Sequence, residues 1–239
     1  MKVIVNNAMD KSNIWYLENI DVQGLFCPQK LDEPSTGHDF NKFSKGDLIF
    51  EPLQKADKVY FISSGRVKIA SEKQGEKSIT KAILGPGEVF GELAMVGNNQ
   101  RRHYAIAMEA TEICEISKDQ LTQMFREHNP LYAYIMGIIG SRALEMEKRL
   151  ESLVFKDSRS RILEFLIDLN EKKGQRVGYE WVVRKFITHQ EIANLTATSR
   201  QTVTTVLNEL KAKEILTFDR KRLLIRDLSL LKSEITIAA

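Results

Sequence analysis

Cysteine is scarce in this 239-residue chain, with Cys27 and Cys114 its only two. They lie far apart without CxxC or Cys/His spacing, so no disulfide framework, zinc knuckle or four-cysteine iron–sulfur cluster is indicated, and both read as incidental thiols. The four histidines, His38, His103, His128 and His189, accompany no nucleophile motif, and neither GxxxxGK[ST] nor HExxH occurs. Catalysis is therefore not expected. No run of 18 apolar residues exists, which excludes a membrane-spanning helix. The opening MKVIVNNAMDKSN lacks the apolar core and cleavage site of a secretory signal, so a cytoplasmic location is expected. At 43% apolar and 28% charged residues the composition is that of a globular protein, not a low-complexity one. At about 150 residues per domain, the length allows one large domain or two small ones.

Neither sign of charge dominates the whole, at +3 net, but the charge is divided. Residues 156–239 carry 16 Lys and Arg against 11 Asp and Glu, while the preceding 155 residues are slightly acidic. A basic end points to an anionic partner, nucleic acid being the commonest. On charge alone, a mildly basic solvated surface explains it equally well.

Seven of the 13 glycines fall between residues 46 and 97, separating short runs rich in Val, Ile, Phe and Tyr. These runs predict strands at Leu48–Phe50, Val59–Ile62, Arg66–Ser71, Ser78–Leu84, Ala105–Glu109 and Glu112–Ile116, an all-β roll or barrel with no helical pattern between them. After Ser117 the period becomes helical. A short helix is expected over Lys118–Arg126, and Asn129-Pro130 opens a long one. Along it Met136, Ile139, Ala143, Met146, Leu150 and Leu153 recur at heptad spacing, and a second stripe starting with Leu131, Ile135, Ile138 and Arg142 turns from apolar to charged. One stripe on the roll and one on a partner helix would give a two-chain coiled coil, with Ile135 added to the seam. A core helix buried on both sides is the alternative.

Residues Phe155–Arg159 break the stripe as a hinge. A helix follows at Ser160–Lys172, then a strand near Gly178–Val183. From Thr188 to Leu210 two capping boxes, Thr188/Glu191 and Thr198/Gln201, stand ten residues apart, leaving room for a two-turn helix and a tight connection, which is helix-turn-helix spacing. The first helix buries Ile192, Ala193 and Leu195; the second buries Val203, Val206, Leu207 and Leu210 and displays Arg200, Gln201, Thr204, Thr205, Asn208 and Lys211. Arg and Gln there can reach purine edges bidentately, and helix starts, including Thr188 and His189, favour phosphate. Residues 215–226 read as a hairpin whose tip, Arg220, Lys221 and Arg222, suits a wing on a DNA backbone. A generic helical hairpin with a solvated basic turn is the alternative.

From about residue 40 to 227 the chain resembles the cyclic-AMP receptor protein/FNR (Crp/Fnr) family of transcriptional regulators. The resemblance rests on the glycine-punctuated roll, Phe90-Gly-Glu-Leu93 before a basic pair, the Asn129-Pro130 helix start, Thr188-x-Gln-Glu-Ile and Thr198-Ser-Arg-Gln-Thr-Val203. It implies an α+β fold: an N-terminal β-roll (a cyclic-nucleotide-binding-like jelly roll) with its N-terminal extension over 1–128, a dimerisation helix and hinge over 129–156, and a C-terminal winged helix-turn-helix over 157–239. It further implies a homodimer binding double-stranded DNA at a pseudo-palindrome, with RNA polymerase as a partner. By the same resemblance Ser199 and Thr202 contact phosphate and Arg200 a guanine. Gln201 and Thr205 replace an acidic residue and a second arginine of the catabolite-activator branch, so a different half-site is expected. Ala197 stands where a turn glycine is usual.

The family's nucleotide cassette maps onto Gly91, Glu92, Leu93 and Arg102. His103 takes a small residue's place, however, and Glu147 and Lys148 replace helix residues that offer hydroxyls to adenine, so cyclic AMP is not expected. Arg101, Arg102, His103 and Arg142 could cradle a small anionic metabolite or another nucleotide, as in nitrogen-control members. Equally, a Glu92–Arg102 ion pair could fix the domain to the helix in an effector-independent regulator. A different class also fits: an adaptor, or an enzyme's regulatory subunit, whose winged helix binds protein.

Overall fold

The computed structural model describes residues 39–71, 79–97, 99–127, 129–219 and 221–237. The chain divides into two compact units at Glu145/Met146. In the first, β1 (Asp39–Phe43), β8 (Thr111–Ser117), β3 (Lys58–Ser64) and β6 (Val89–Phe90) form one antiparallel sheet in that order. A second holds β2 (Leu48–Phe50), β7 (Tyr104–Ala107), β4 (Val67–Ser71) and β5 (Ile79–Leu84). Among expected strands, Ser78–Leu84 is found from Ile79, Ser78 lying outside the described residues, and Ala105–Glu109 shifts to Tyr104–Ala107.

Strand β3 explains why its run Val59-Tyr-Phe-Ile62 lacks polar alternation: both faces are buried. Tyr60 and Ile62 join Phe50, Phe90 and Ile113 in one core. Val59 and Phe61 join Cys114 and Ile116 in another, closed by Leu121 of α1 (Lys118–Glu127) and by Leu131 and Ile135 of α2 (Asn129–Phe155). A strand with cores on both faces reads as continuous apolar sequence. Gly65, at φ +85°, turns β3 into β4, and a Cβ there would lie 2.4 Å from Thr111 Oγ1.

Ile135 is a correction to the expected seam. It is fully buried against the roll and offers no surface to a partner, and Ile139 also packs partly on that core. Beyond Gly140 the same helix exposes Leu144, Met146, Leu150, Leu153, Val154 and Phe155.

Within the second unit a break of only Lys156 and Asp157 follows α2. Asp157 caps α3 (Ser158–Lys173), its carboxylate accepting from Ser160 N at 2.7 Å. A four-stranded sheet follows, ordered β11 (Leu216–Phe218), β12 (Arg222–Ile225), β10 (Glu180–Arg184), β9 (Gly174–Val177). The single strand expected near Gly178–Val183 is thus a hairpin turning at Gly178. Helices α4 (His189–Leu195), α5 (Arg200–Ala212) and α6 (Leu228–Ile237) complete the unit. Ile162, Leu166, Ile192, Val203, Leu207, Leu223 and Leu231 share one core.

Candidate nucleic-acid interface and ligand pocket

The α4–α5 pair is built from its caps. Thr188 Oγ1 accepts from Glu191 N at 3.2 Å while the Glu191 carboxylate accepts from Thr188 N at 2.9 Å, closing the expected capping box. The second expected box does not form. Thr198 is consumed in the turn, its N–H donating to Ala193 O and its hydroxyl meeting Thr196 Oγ1, while extended Ser199 caps α5 by accepting from Thr202 N at 3.0 Å. Ala197 adopts φ +50° at the bend. Small, buried Ala193 lets the helices cross closely; Leu195, expected to be buried, is half-buried at the end of α4, and the buried residue there is its C-cap Thr196.

Val203, Val206, Leu207 and Leu210 face the core. Arg200, Gln201, Thr205, Asn208 and Lys211 are exposed, with Thr202 and Thr204 half-buried beside them. His189 is held differently from a free contact residue. Its Nδ1 lies 2.9 Å from Thr204 Oγ1, and its ring meets Phe218 of β11 edge-on at 5.4 Å, so it ties α4, α5 and the wing together. Burial and the nearby Arg200 guanidinium lower its pKa.

In the wing, Asp219 organises the tip by accepting from Lys221 N at 2.7 Å and Arg222 N at 2.9 Å, and its pKa is lowered, chiefly by the first of these bonds. It also pairs with Arg222 Nε at 3.0 Å, offsetting part of that residue's charge, whereas Lys221 points outward into solvent. Arg220 lies outside the described residues. The expected interface residues from Thr188 to Asn208, with Lys221 and Arg222, all belong to this unit.

The roll contains a cavity of about 90 Å³ whose wall includes Phe50, Phe90, Gly91, Glu92, Arg102, His103 and Arg142. That is well below the roughly 300 Å³ at which pockets for drug-sized ligands begin. Gly91 sits at φ +78°, and a Cβ there would come within 2.9 Å of Arg101 and of the Tyr60 ring. Arg101 lines this cavity as expected, but its guanidinium is held by the protein as a core strut. It is 6% exposed, its guanidinium donates to Gly91 O (3.1 Å) and Lys58 O (2.5 Å), and it stacks 4.5 Å over the Phe50 ring. The partner expected for Glu92 also changes: buried Glu92 pairs with Arg142 at 2.5 Å, and Arg142 additionally donates to Val89 O. Arg102 and Leu93 are exposed at the rim.

Sequence reasoning missed Lys81. Ile69 pairs with Ala82 and Ala70 with Thr80, so Lys81 is the extra residue of a β-bulge, the device that re-aims a side chain. Its ammonium meets His103 Nε2, a contact that needs a neutral imidazole as acceptor. Burial first, then Lys81 and Arg102, lower the pKa of His103. Only the register of β4 against β5 could have revealed this.

Comparison with known proteins agrees with both units. Residues 40–128 match the cyclic nucleotide-binding domain, and residues 160–234 the Crp-like helix-turn-helix domain. The chain is 29% identical to a global nitrogen regulator of Nostoc sp. over 77% of its length and 83% of the relative's. It is 28% identical to a cyclic AMP receptor protein of Thermus thermophilus over 86% and 92% of the two chains. Among solved structures, a mutant of CooA from Carboxydothermus hydrogenoformans superposes with a TM-score of 0.75 at 26% identity, covering 88% of this chain and 95% of that one. FixK2 from Bradyrhizobium japonicum, at 18% identity and TM-score 0.72, covering 83% and 97%, shares the fold. Among the described residues no helix is long and apolar enough to cross a membrane. With a β-roll, a long helix and a capped helix-turn-helix matched domain by domain, the chain belongs to the Crp/Fnr family of DNA-binding transcriptional regulators.

Proposed function

We propose that the protein is a homodimeric, cytoplasmic regulator that reads a pseudo-palindromic operator and answers to a small anion other than cyclic AMP. The work is divided as a sensor over 1–128, a dimer helix and hinge over 129–156, and a reader over 157–239, with RNA polymerase as the further partner. The observation that carries the reading is the exposed row Arg200, Gln201, Thr205 and Asn208 on a helix whose N-terminus is capped by Ser199. Guanidinium and amide groups at the start of such a helix reach base edges, and the wing's Lys221 supplies backbone attraction.

Dimerisation is supported by Met136, Met146, Leu150 and Leu153, large apolar groups recurring along α2 and 38–70% exposed in the single chain. Surface of that kind is ordinarily covered. For the effector, the small cavity, with Arg102 on its wall and Lys81 meeting its His103, favours a compact carboxylate or phosphate over a nucleotide. The relatives, one named for nitrogen control and one for cyclic AMP, leave the effector to be read from this chain's own residues.

Selection of bound sites from random duplex DNA tests the reading. Enrichment of a two-fold-related sequence with half-site centres roughly 34–36 Å apart is expected. Affinity should fall steeply with salt, as phosphate contacts require. Salt-independent binding, or no enrichment, would favour a winged helix that binds protein instead.

A further inference from the structure

Two arginines at the start of α3 hold the reading helix at both of its ends. Arg161 works at the front. Its Nε donates to Thr196 O at 2.9 Å and its Nη2 to Ala197 O at 3.1 Å, both in the turn that leads into α5. The same guanidinium donates through Nη1 to Lys156 O at 2.8 Å, in the two-residue break before α3, and through Nη2 to Ser158 Oγ at 3.4 Å. Arg159 works at the rear. Its Nη1 pairs with Glu209 in the last turns of α5, and its Nη2 lies 2.8 Å from Glu234 of α6. Glu234, 8% exposed, also pairs at 2.6 Å with Lys213, the C-cap of α5.

Neither arginine lies on the reading face, and their donors are directed at protein acceptors rather than at solvent. Between them they leave α5 little freedom to tilt. The helix spans 13 residues, about 20 Å, so a small rotation about one released end displaces the Arg200 and Gln201 side chains by ångströms at the other. Bidentate base contacts do not survive such a displacement, whereas phosphate contacts from mobile basic side chains do.

We propose that Arg159 and Arg161 are positioning residues for base reading: they fix the angle of α5 to the hinge backbone, so losing either lowers sequence discrimination before it lowers affinity for DNA in general. The inference rests on the DNA-reading function above and adds a residue-level requirement to it. Arg161 carries the larger share. Its planar fork serves two carbonyls of the turn and one of the hinge together, a geometry that an ammonium cannot reproduce.

The test uses the full chain, its selected operator and a scrambled duplex of equal length. Arg161→Ala is expected to reduce the ratio of operator to scrambled affinity by about 10-fold or more, with the salt slope and scrambled affinity near those of the parent protein. Arg161→Lys should recover only part of the ratio. Arg159→Ala and Glu209→Ala should each lower it, and their double variant no further than the larger single effect. Equal losses on both duplexes, an unchanged ratio, or full recovery with lysine would overturn the proposal. Melting curves identify any variant that does not fold, and Arg161→Lys, which keeps stem and charge, then carries the test. If the parent protein selects no sequence at all, the DNA-reading function itself fails, an outcome distinct from these.

Discussion

Arg142 Nη1 lies 2.5 Å from Glu92 Oε1, joining α2 to the 3₁₀ turn Glu92–Val96 on the wall of the roll's cavity. The Glu92 side chain is only 8% exposed, so the pair is more than a surface contact. Removing the cation leaves a buried carboxylate without its counter-ion. Arg142→Ala should destabilise the roll by roughly 3 kcal/mol, the low end for breaking a buried pair because Arg142 is itself 30% exposed. Denaturant titration should also find Glu92→Gln with Arg142→Ala less damaging than Arg142→Ala alone. Equal damage from both would remove the ion pair from the account.

The sensor should weaken on acidification through His103. Its folded pKa lies below the ordinary 6.5, first through burial, then through Lys81 and Arg102, while Glu92 opposes the shift. Between the folded pKa and 6.5 the unfolded chain binds more protons than the folded one. Stability is therefore highest above 6.5, declines as pH falls through it and levels off below the folded pKa. His103→Gln should flatten this part of the pH–stability curve. A bound anion favours the protonated ring, so sulfate, which keeps its charge across the range, should protect the parent protein more at pH 6 than at pH 8.

Base reading and backbone attraction should separate. Arg200→Ala is expected to cost about 1–3 kcal/mol on the operator and to relax one base position. Lys221→Ala should weaken binding to all sequences alike and reduce the salt slope by about one. Competition assays across operator variants distinguish the two, and a uniform loss from Arg200→Ala would contradict its role.

Seam residues and core residues of α2 should respond differently to charge. Leu150→Glu, at a position 64% exposed in the single chain, should yield folded monomers by sedimentation at micromolar concentration. Ile135→Glu, at a fully buried one, should unfold the roll instead. A parent protein that sediments as a monomer would overturn the dimer.

Ala197 holds φ +50°, where a Cβ is crowded by the backbone. Ala197→Gly should raise the stability of the second unit by about 1 kcal/mol. Thermal melting measures this, and a lower melting temperature would place the benefit of the Ala197 methyl elsewhere.

The helix-turn-helix was legible because its signals are local. Cap residues, a two-turn gap and the apolar set Val203, Val206, Leu207 and Leu210 lie within some twenty positions, and only the second cap moved, from Thr198 to Ser199. Strand β6 was missed because two residues carry no periodicity, and β1 because Asp39–Phe43 has no apolar alternation despite the turn glycine Gly46 that follows it. Ile135 was misassigned because two apolar stripes on one helix do not declare which of them meets the chain's own core. The pocket depended on partners distant in sequence: Glu92 with Arg142, and Lys81 with His103 through a bulge. Arg161 was invisible for a related reason, since three of its four partners are backbone carbonyls, and every residue type has one.

The pairing of β1 with β8, Asp39 opposite Glu115, sets an order of assembly for the two units. Among the described residues β1 pairs with β8 alone, so it has no neighbour there until the roll's last strand has been synthesised, because β8 is also what joins β1 to β3. Until then Phe40 and Phe43 stand beside an open sheet edge. In the reader, by contrast, α4 meets α5 and β11 meets β12 across short connections. Local pairing is fast and distant pairing slow. The roll is therefore the unit that spends longest incomplete, and a chaperone encountering the nascent chain would meet its unpaired edge before any part of the helix-turn-helix unit exists.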